Sequence, residues 1–227
     1  MIKLIAQDNK HMANGMRDMS RTPLTNKEIE YVKSEIQRIE ADESLFVFND
    51  ADHIHSSTCY NFIEDRIYVT RNVFPDTKYG SVHPRDLMSV GAVLAHEYYG
   101  HRIYRDEYIS DYKQSPDFHT TELWQDECRA SITAAKLAPN LTEKDKSNLI
   151  MDAIYRAQEY NHRIEMDDFM REVIYGYTTG EKNITHRIRP ITYVSEKGQE
   201  RNEINRHNDR CMSHVQRITR DYYDIER

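Results

Sequence analysis

The chain has 227 residues, 38% hydrophobic and 30% charged, with a formal net charge of -7. That length allows one domain with appendages and a core that needs no covalent staples, and the acidic balance argues against general affinity for nucleic acid backbones. Three scattered cysteines, Cys59, Cys128 and Cys211, exclude a disulfide framework, and the lack of any long apolar run predicts a soluble, cytoplasmic protein with no membrane partner, non-classical export remaining open.

Residues 1–22 are polar and irregular and are read as an N-terminal arm. "TNKEIEYVKSEIQRIEA" follows as a helix, with Thr25 and Glu28 spaced for a capping box and Ile29, Val32, Ile36 and Ile39 on one face. "LFVF" (45–48) is a short strand, and "CYNFI" and "RIYVT" form a hairpin with Glu64 and Asp65 at its turn. "HPRDLMSVGAVLAHEYYGHRIYRDEY" reads as one buried helix with Pro84 in its first turn. "TTELWQDECRASITAAKLA" is the next helix. "LTEKDKSNLIMDAIYRAQEYNHR" is a third, with Thr142 and Asp145 as its capping pair, and "EMDDFMREVIYGY" is a fourth. Residues 181–227 read as a linker, with a strand at "ITYV", and a last helix over about 200–225. Its apolar positions Ile204, Cys211, Val215, Ile218, Tyr222 and Ile225 would pack on the same domain. The fold class expected is α+β, mainly helical, with a small antiparallel or mixed sheet, and 23–180 as its catalytic domain.

"HEYYGH", 96–101, carries the chemistry. Two histidines four apart on one helical face, with Glu after the first, grip a zinc ion in HExxH enzymes. Here His96 and His101 are five apart. On a regular helix they would diverge by about 140°. One residue accommodated in an i→i+5 turn brings them back together, and such turns cluster at functional sites. Gly100, lacking a Cβ, lies inside that turn. Glu97 then stands where a general base belongs. "WQDECRAS", 124–131, places Asp126 and Glu127 on the following helix, from which a two-His-plus-carboxylate site draws its third ligand. Cys128 is an alternative third ligand. "DHIH" (52–55) is a second, weaker metal spacing.

The two stretches together resemble the dipeptidyl peptidase III family, whose HExxGH and EECRAE motifs lie on successive helices. The resemblance covers about forty residues around "HEYYGH" and "DECRAS". It implies a zincin-like, gluzincin-like metallopeptidase with Zn2+ held by His96, His101 and Glu127. Glu97 is then the general base that activates a zinc-bound water, and Asp126 orients a ligand histidine. Ser131 stands in place of the family's final Glu. A protein or peptide is the expected substrate, on an edge strand within 58–70. Oxyanion donors are sought among Tyr155, His162, Tyr175, Tyr177 and His186. The competing readings are an inactive binding or regulatory protein on the same scaffold, motivated by Ser131, and hydrolysis of a non-peptide bond. Oligomeric state is not legible.

Overall fold

The computed structural model describes residues 17, 22–53, 57–75, 84–114, 123–176 and 193–195. The helix expected over 200–225 lies outside these residues, as do most of the N-terminal arm, His55, Tyr177 and His186.

The first helix, α1 (Asn26–Arg38), starts at the expected capping box. The Glu28 carboxylate accepts the Thr25 backbone N–H at 2.8 Å, and the Thr25 hydroxyl accepts the Glu28 N–H at 3.4 Å. Its apolar stripe buries Val32, Ile36 and Ile39. Three short strands follow: β1 (Phe46–Phe48), β2 (Cys59–Asn61) and β3 (Arg66–Val69). The expected hairpin joins β2 to β3, with Tyr60 opposite Ile67. Its turn is held by Asn61 Oδ1, which accepts the N–H groups of Ile63 and Glu64, and Asp65 takes a positive φ of 52°. The strand β1 lies parallel to β3 on its other side. The sheet is therefore mixed, in the order β1-β3-β2, and β2 forms an edge among the described strands.

The single helix expected from His83 to Tyr108 is five segments. A first turn, α2 (Pro84–Leu87), stops before Ser89. Ser89 has extended backbone, and its hydroxyl accepts the Ala92 N–H at 3.1 Å, so α3 (Val90–Ala95) begins afresh. Residues His96–His101 continue it as a π-helical turn, closed by the Arg102 N–H on the Glu97 carbonyl five residues back. A 3-10 turn, Arg102–Tyr104, then leads into α4 (Arg105–Gln114). The interruption at Ser89 reflects a side chain that satisfies a helical N–H better from outside a helix than within one.

The two longest helices among the described residues, α5 (Leu123–Leu137) and α6 (Glu143–Glu159), pack against each other, and α5 also packs on the π-helical turn. The capping box of Thr142 and Asp145 opens α6 as its spacing predicts. The helix ends at Glu159, earlier than expected, because Asn161 adopts a φ of 57°. The residues after it form β4 (His162–Ile164) instead. That strand pairs antiparallel with β5 (Tyr193–Ser195), the strand expected near "ITYV". Between them, α7 (Asp168–Tyr175) runs from an Asp167 cap to Gly176. The architecture is thus α+β and mainly helical. Among the described residues no helix is long and apolar enough to cross a membrane.

One residue of the expected arm is firmly fixed. The Arg17 guanidinium donates to the carbonyls of Asn72, Val73, Arg85 and Met88. Burial lowers its pKa to about 10, against the pull of Asp86 and Asp152.

Gly100 is needed for contact distance rather than for an unusual φ. A Cβ there would sit 2.6 Å from the Ala130 carbonyl oxygen and 2.9 Å from its carbon, both backbone atoms of α5. The π-helical turn and α5 touch main chain to main chain. Gly100→Ala should therefore destabilise the fold by about 1–3 kcal/mol despite the better helix propensity of Ala. Chemical denaturation measures this, and an unchanged midpoint would refute it.

Candidate metal centre

The π-helical turn brings His96 and His101 onto one face, and α5 presents Glu127 to both. The Nε2 atoms of the two histidines are 3.0 Å apart. The Glu127 oxygens lie 3.4 Å from each, Oε2 beside His96 and Oε1 beside His101. One donor atom from each residue falls within 4.8 Å of the others, a group that could hold a metal ion. Ligand distances of about 2.0–2.2 Å in tetrahedral geometry put donor atoms about 3.3–3.6 Å apart, close to the spacing observed.

The hydrogen bonds on the far side of each ring settle where the imidazole protons reside. Tyr108 donates its hydroxyl proton to Asp126, at 2.8 Å and 3.0 Å from the two carboxylate oxygens. Its oxygen, 3.2 Å from His101 Nδ1, can then only accept from that nitrogen. Asp126 Oδ2 lies 3.4 Å from the same Nδ1. For His96 the partner of Nδ1 is the Ser131 hydroxyl at 3.0 Å, whose own proton goes to Asp152 Oδ2 at 2.9 Å. Both rings thus carry hydrogen on Nδ1 and turn Nε2 towards one another and towards the Glu127 carboxylate. Once His101 gives up its Nε2 proton, two ring nitrogens and a carboxylate face inward as acceptors, an arrangement that a cation satisfies.

Burial disfavours the charged form of Glu127, but the Arg156 guanidinium, 3.0 Å from Oε2, and the two histidines hold its pKa well below the ordinary carboxylate range. Burial also opposes charge on His101. The Tyr108 oxygen and the carboxylates of Asp126 and Glu127 outweigh it and raise its pKa well above the usual value. Glu97 behaves differently. Burial pushes its carboxyl upward, against the pull of His101 and His96 and of the Tyr60 amide. That amide is a backbone N–H of the edge strand β2, donated to Glu97 Oε2 at 2.9 Å.

Asp126 is the carboxylate beside His101, the position the motif resemblance implies. Cys128 turns away, its thiol donating to the Ala153 carbonyl of α6. This follows from the helix, where neighbouring residues diverge by about 100°. His162 packs on Trp124 and bonds the Tyr160 carbonyl through Nδ1, and Tyr175 is exposed. His53 is engaged with Asp50 at 2.6 Å and stacked on Tyr68. Sequence reasoning missed Tyr108 and the pair Asp152 and Arg156. Tyr108 lies seven residues from His101, two turns along the same face. Asp152 and Arg156 lie four apart on the apolar face of α6, among buried Leu149, Ala153 and Ala157. Opposite charges on a core face are the signal that marks them.

No family model, curated protein or solved structure matches the chain.

These contacts generate two expectations. The purified protein should take up about one divalent ion per chain, and His101→Ala should abolish the uptake, as measured by elemental mass spectrometry. Binding should also depend on pH. The proton on His101 persists above its ordinary pKa in the metal-free site, and the ion must displace it. Affinity should therefore rise with pH until His101 deprotonates, with release of about one proton per ion near neutrality. Calorimetry in buffers of different ionisation enthalpy reads that proton directly. Its absence would refute the assignment.

Proposed function

We propose that the chain is a zinc-dependent metallopeptidase with a zincin-like fold, hydrolysing a peptide bond in a protein or peptide. The observation that carries this is the convergence of His96, His101 and Glu127, with the buried carboxylate of Glu97 beside them in sequence and space. Two histidines and a carboxylate are a donor set that zinc accepts, and three protein ligands leave a position open. Zinc, when bound, supplies a Lewis acid that polarises a carbonyl and acidifies a water molecule.

The chain supplies the rest. Glu97 is the general base that takes a proton from the attacking water and hands it to the leaving amine. Its upward-shifted pKa moves it towards the working pH, where a base is most effective. The Tyr60 N–H occupies Oε2, which leaves Oε1 as the oxygen for the proton. Asp126 and Tyr108 hold the His101 ring. The edge strand β2 lies against this carboxylate, in the region expected to receive an extended peptide. Because the outward N–H of Tyr60 is already committed to Glu97, an added strand pairs in a register that uses other groups of β2.

The inactive-scaffold alternative drew on the loss of a carboxylate at position 131. The contact of Ser131 with Asp152 supplies one by another route and favours the active reading.

Glu97→Gln provides the test. It keeps size and the Tyr60 contact but cannot accept a proton. Zinc content should remain about one per chain, while turnover of a peptide library falls by about 10²–10⁴-fold. Cleavage at the wild-type rate would exclude Glu97 as the base and the mechanism with it.

A further inference from the structure

No residue of α6 is a ligand in this centre, yet α6 reaches two of the three ligands. Asp152 is fully buried on the face of α6 turned towards α5. Its Oδ2 accepts the Ser131 hydroxyl at 2.9 Å, and Ser131, also fully buried, touches His96 Nδ1 at 3.0 Å. The same Oδ2 accepts Arg156 Nε at 2.8 Å, one helical turn further on. Arg156 extends its Nη2 to Glu127 Oε2 at 3.0 Å. Arg85 closes the other side of the carboxylate, 3.3 Å from Oδ1. Asp152 is thus held in place by two guanidinium groups and stands at the end of two short relays. One ends on a ligand nitrogen and the other on a ligand oxygen.

The relay to His96 has a fixed direction. A carboxylate between two guanidinium groups only accepts, so the Ser131 proton points to Asp152, and the hydroxyl oxygen is left to accept from His96 Nδ1–H. The relay to Glu127 also has a consequence. Arg156 occupies Oε2, which leaves Oε1, the oxygen beside His101, as the better placed donor.

We propose that Asp152 is a positioning residue of the metal centre, orienting His96 through the Ser131 hydroxyl and Glu127 through Arg156. It touches neither substrate nor ion. This rests on the metal reading above, and adds that a helix without ligands sets the geometry of two of them.

The test is a double-mutant cycle on the full chain, read as the zinc dissociation constant by competition with a chromogenic chelator. Ser131→Ala removes only the bridging hydroxyl. Asp152→Asn removes the carboxylate charge and strands two guanidinium groups, so its melting temperature without metal should fall. Ser131→Ala changes no charge and should melt within a few degrees of wild type. Each substitution should weaken zinc binding by about 10–100-fold, the range for loss of a group that orients a ligand. The double variant should bind no worse than Asp152→Asn alone, because both act through one relay to His96. Wild-type affinity in a folded Ser131→Ala protein overturns the proposal, as does a double variant whose losses multiply. A wild-type protein that binds no zinc removes the metal reading itself. A zinc-binding wild type with unaffected variants removes only the role of Asp152.

Discussion

The centre depends on one departure from regular helix geometry. Between Glu97 and Arg102 the main chain closes a hydrogen bond over five residues instead of four. Without it, His96 and His101 would point to different sides of the helix, and Glu127 could face only one of them. The wider turn is tolerated because α5 supports it from outside. Gly100 and Ala130 meet main chain to main chain, and that contact brings Glu127 within 3.4 Å of both rings. Ring direction, the approach of Glu127 and helix packing are therefore one constraint, and a residue with no functional group, Gly100, enforces it.

Around that geometry the charges are arranged in pairs with distinct tasks. Each histidine has its own carboxylate behind it, Asp126 through direct contact and Tyr108, Asp152 through Ser131. Each carboxylate has an arginine beside it, Arg129 at 2.7 Å from Asp126 and Arg156 at 2.8 Å from Asp152, whose other oxygen faces Arg85. Buried charges left without partners would be strongly destabilising. Here the partners also keep the carboxylates ionised, and so acceptor-only, which fixes the proton positions on both rings. Glu97 is the exception. It is buried with a backbone amide instead of a cation, and its pKa moves up while that of Glu127 moves down. One environment thus drives two neighbouring carboxyl groups apart, in the directions that the proposed roles of base and ligand require.

Much of the framework was legible because it is local. The boxes at Thr25 and Thr142, the stripe of Val32, Ile36 and Ile39, and the β2–β3 hairpin depend on residues a few positions apart. The π-helical turn was legible because the five-residue spacing of His96 and His101 is itself local, although the α5 backbone that supports it at Gly100 is not. The break at Ser89 was missed because its neighbours are apolar and periodic, and one hydroxyl outweighed the pattern. The parallel pairing of β1 with β3 is non-local and leaves no mark in either strand. Asp152 belongs to the same class. Its meaning arises only when α5 and α6 pack, when a serine that reads as a lost carboxylate acquires one from 21 residues downstream.

The bond from Tyr60 to Glu97 is made by the peptide group and not by the side chain. Truncating Tyr60 would disturb its hydroxyl contact to Asp65 and its packing, yet leave that donor in place. Alanine scanning is therefore blind to the part of β2 that touches Glu97. Backbone chemistry, such as an amide-to-ester replacement at position 60, would make it visible. For evolution the same fact means that position 60 can vary its side chain freely with respect to this contact, while the strand that carries it must stay where it is.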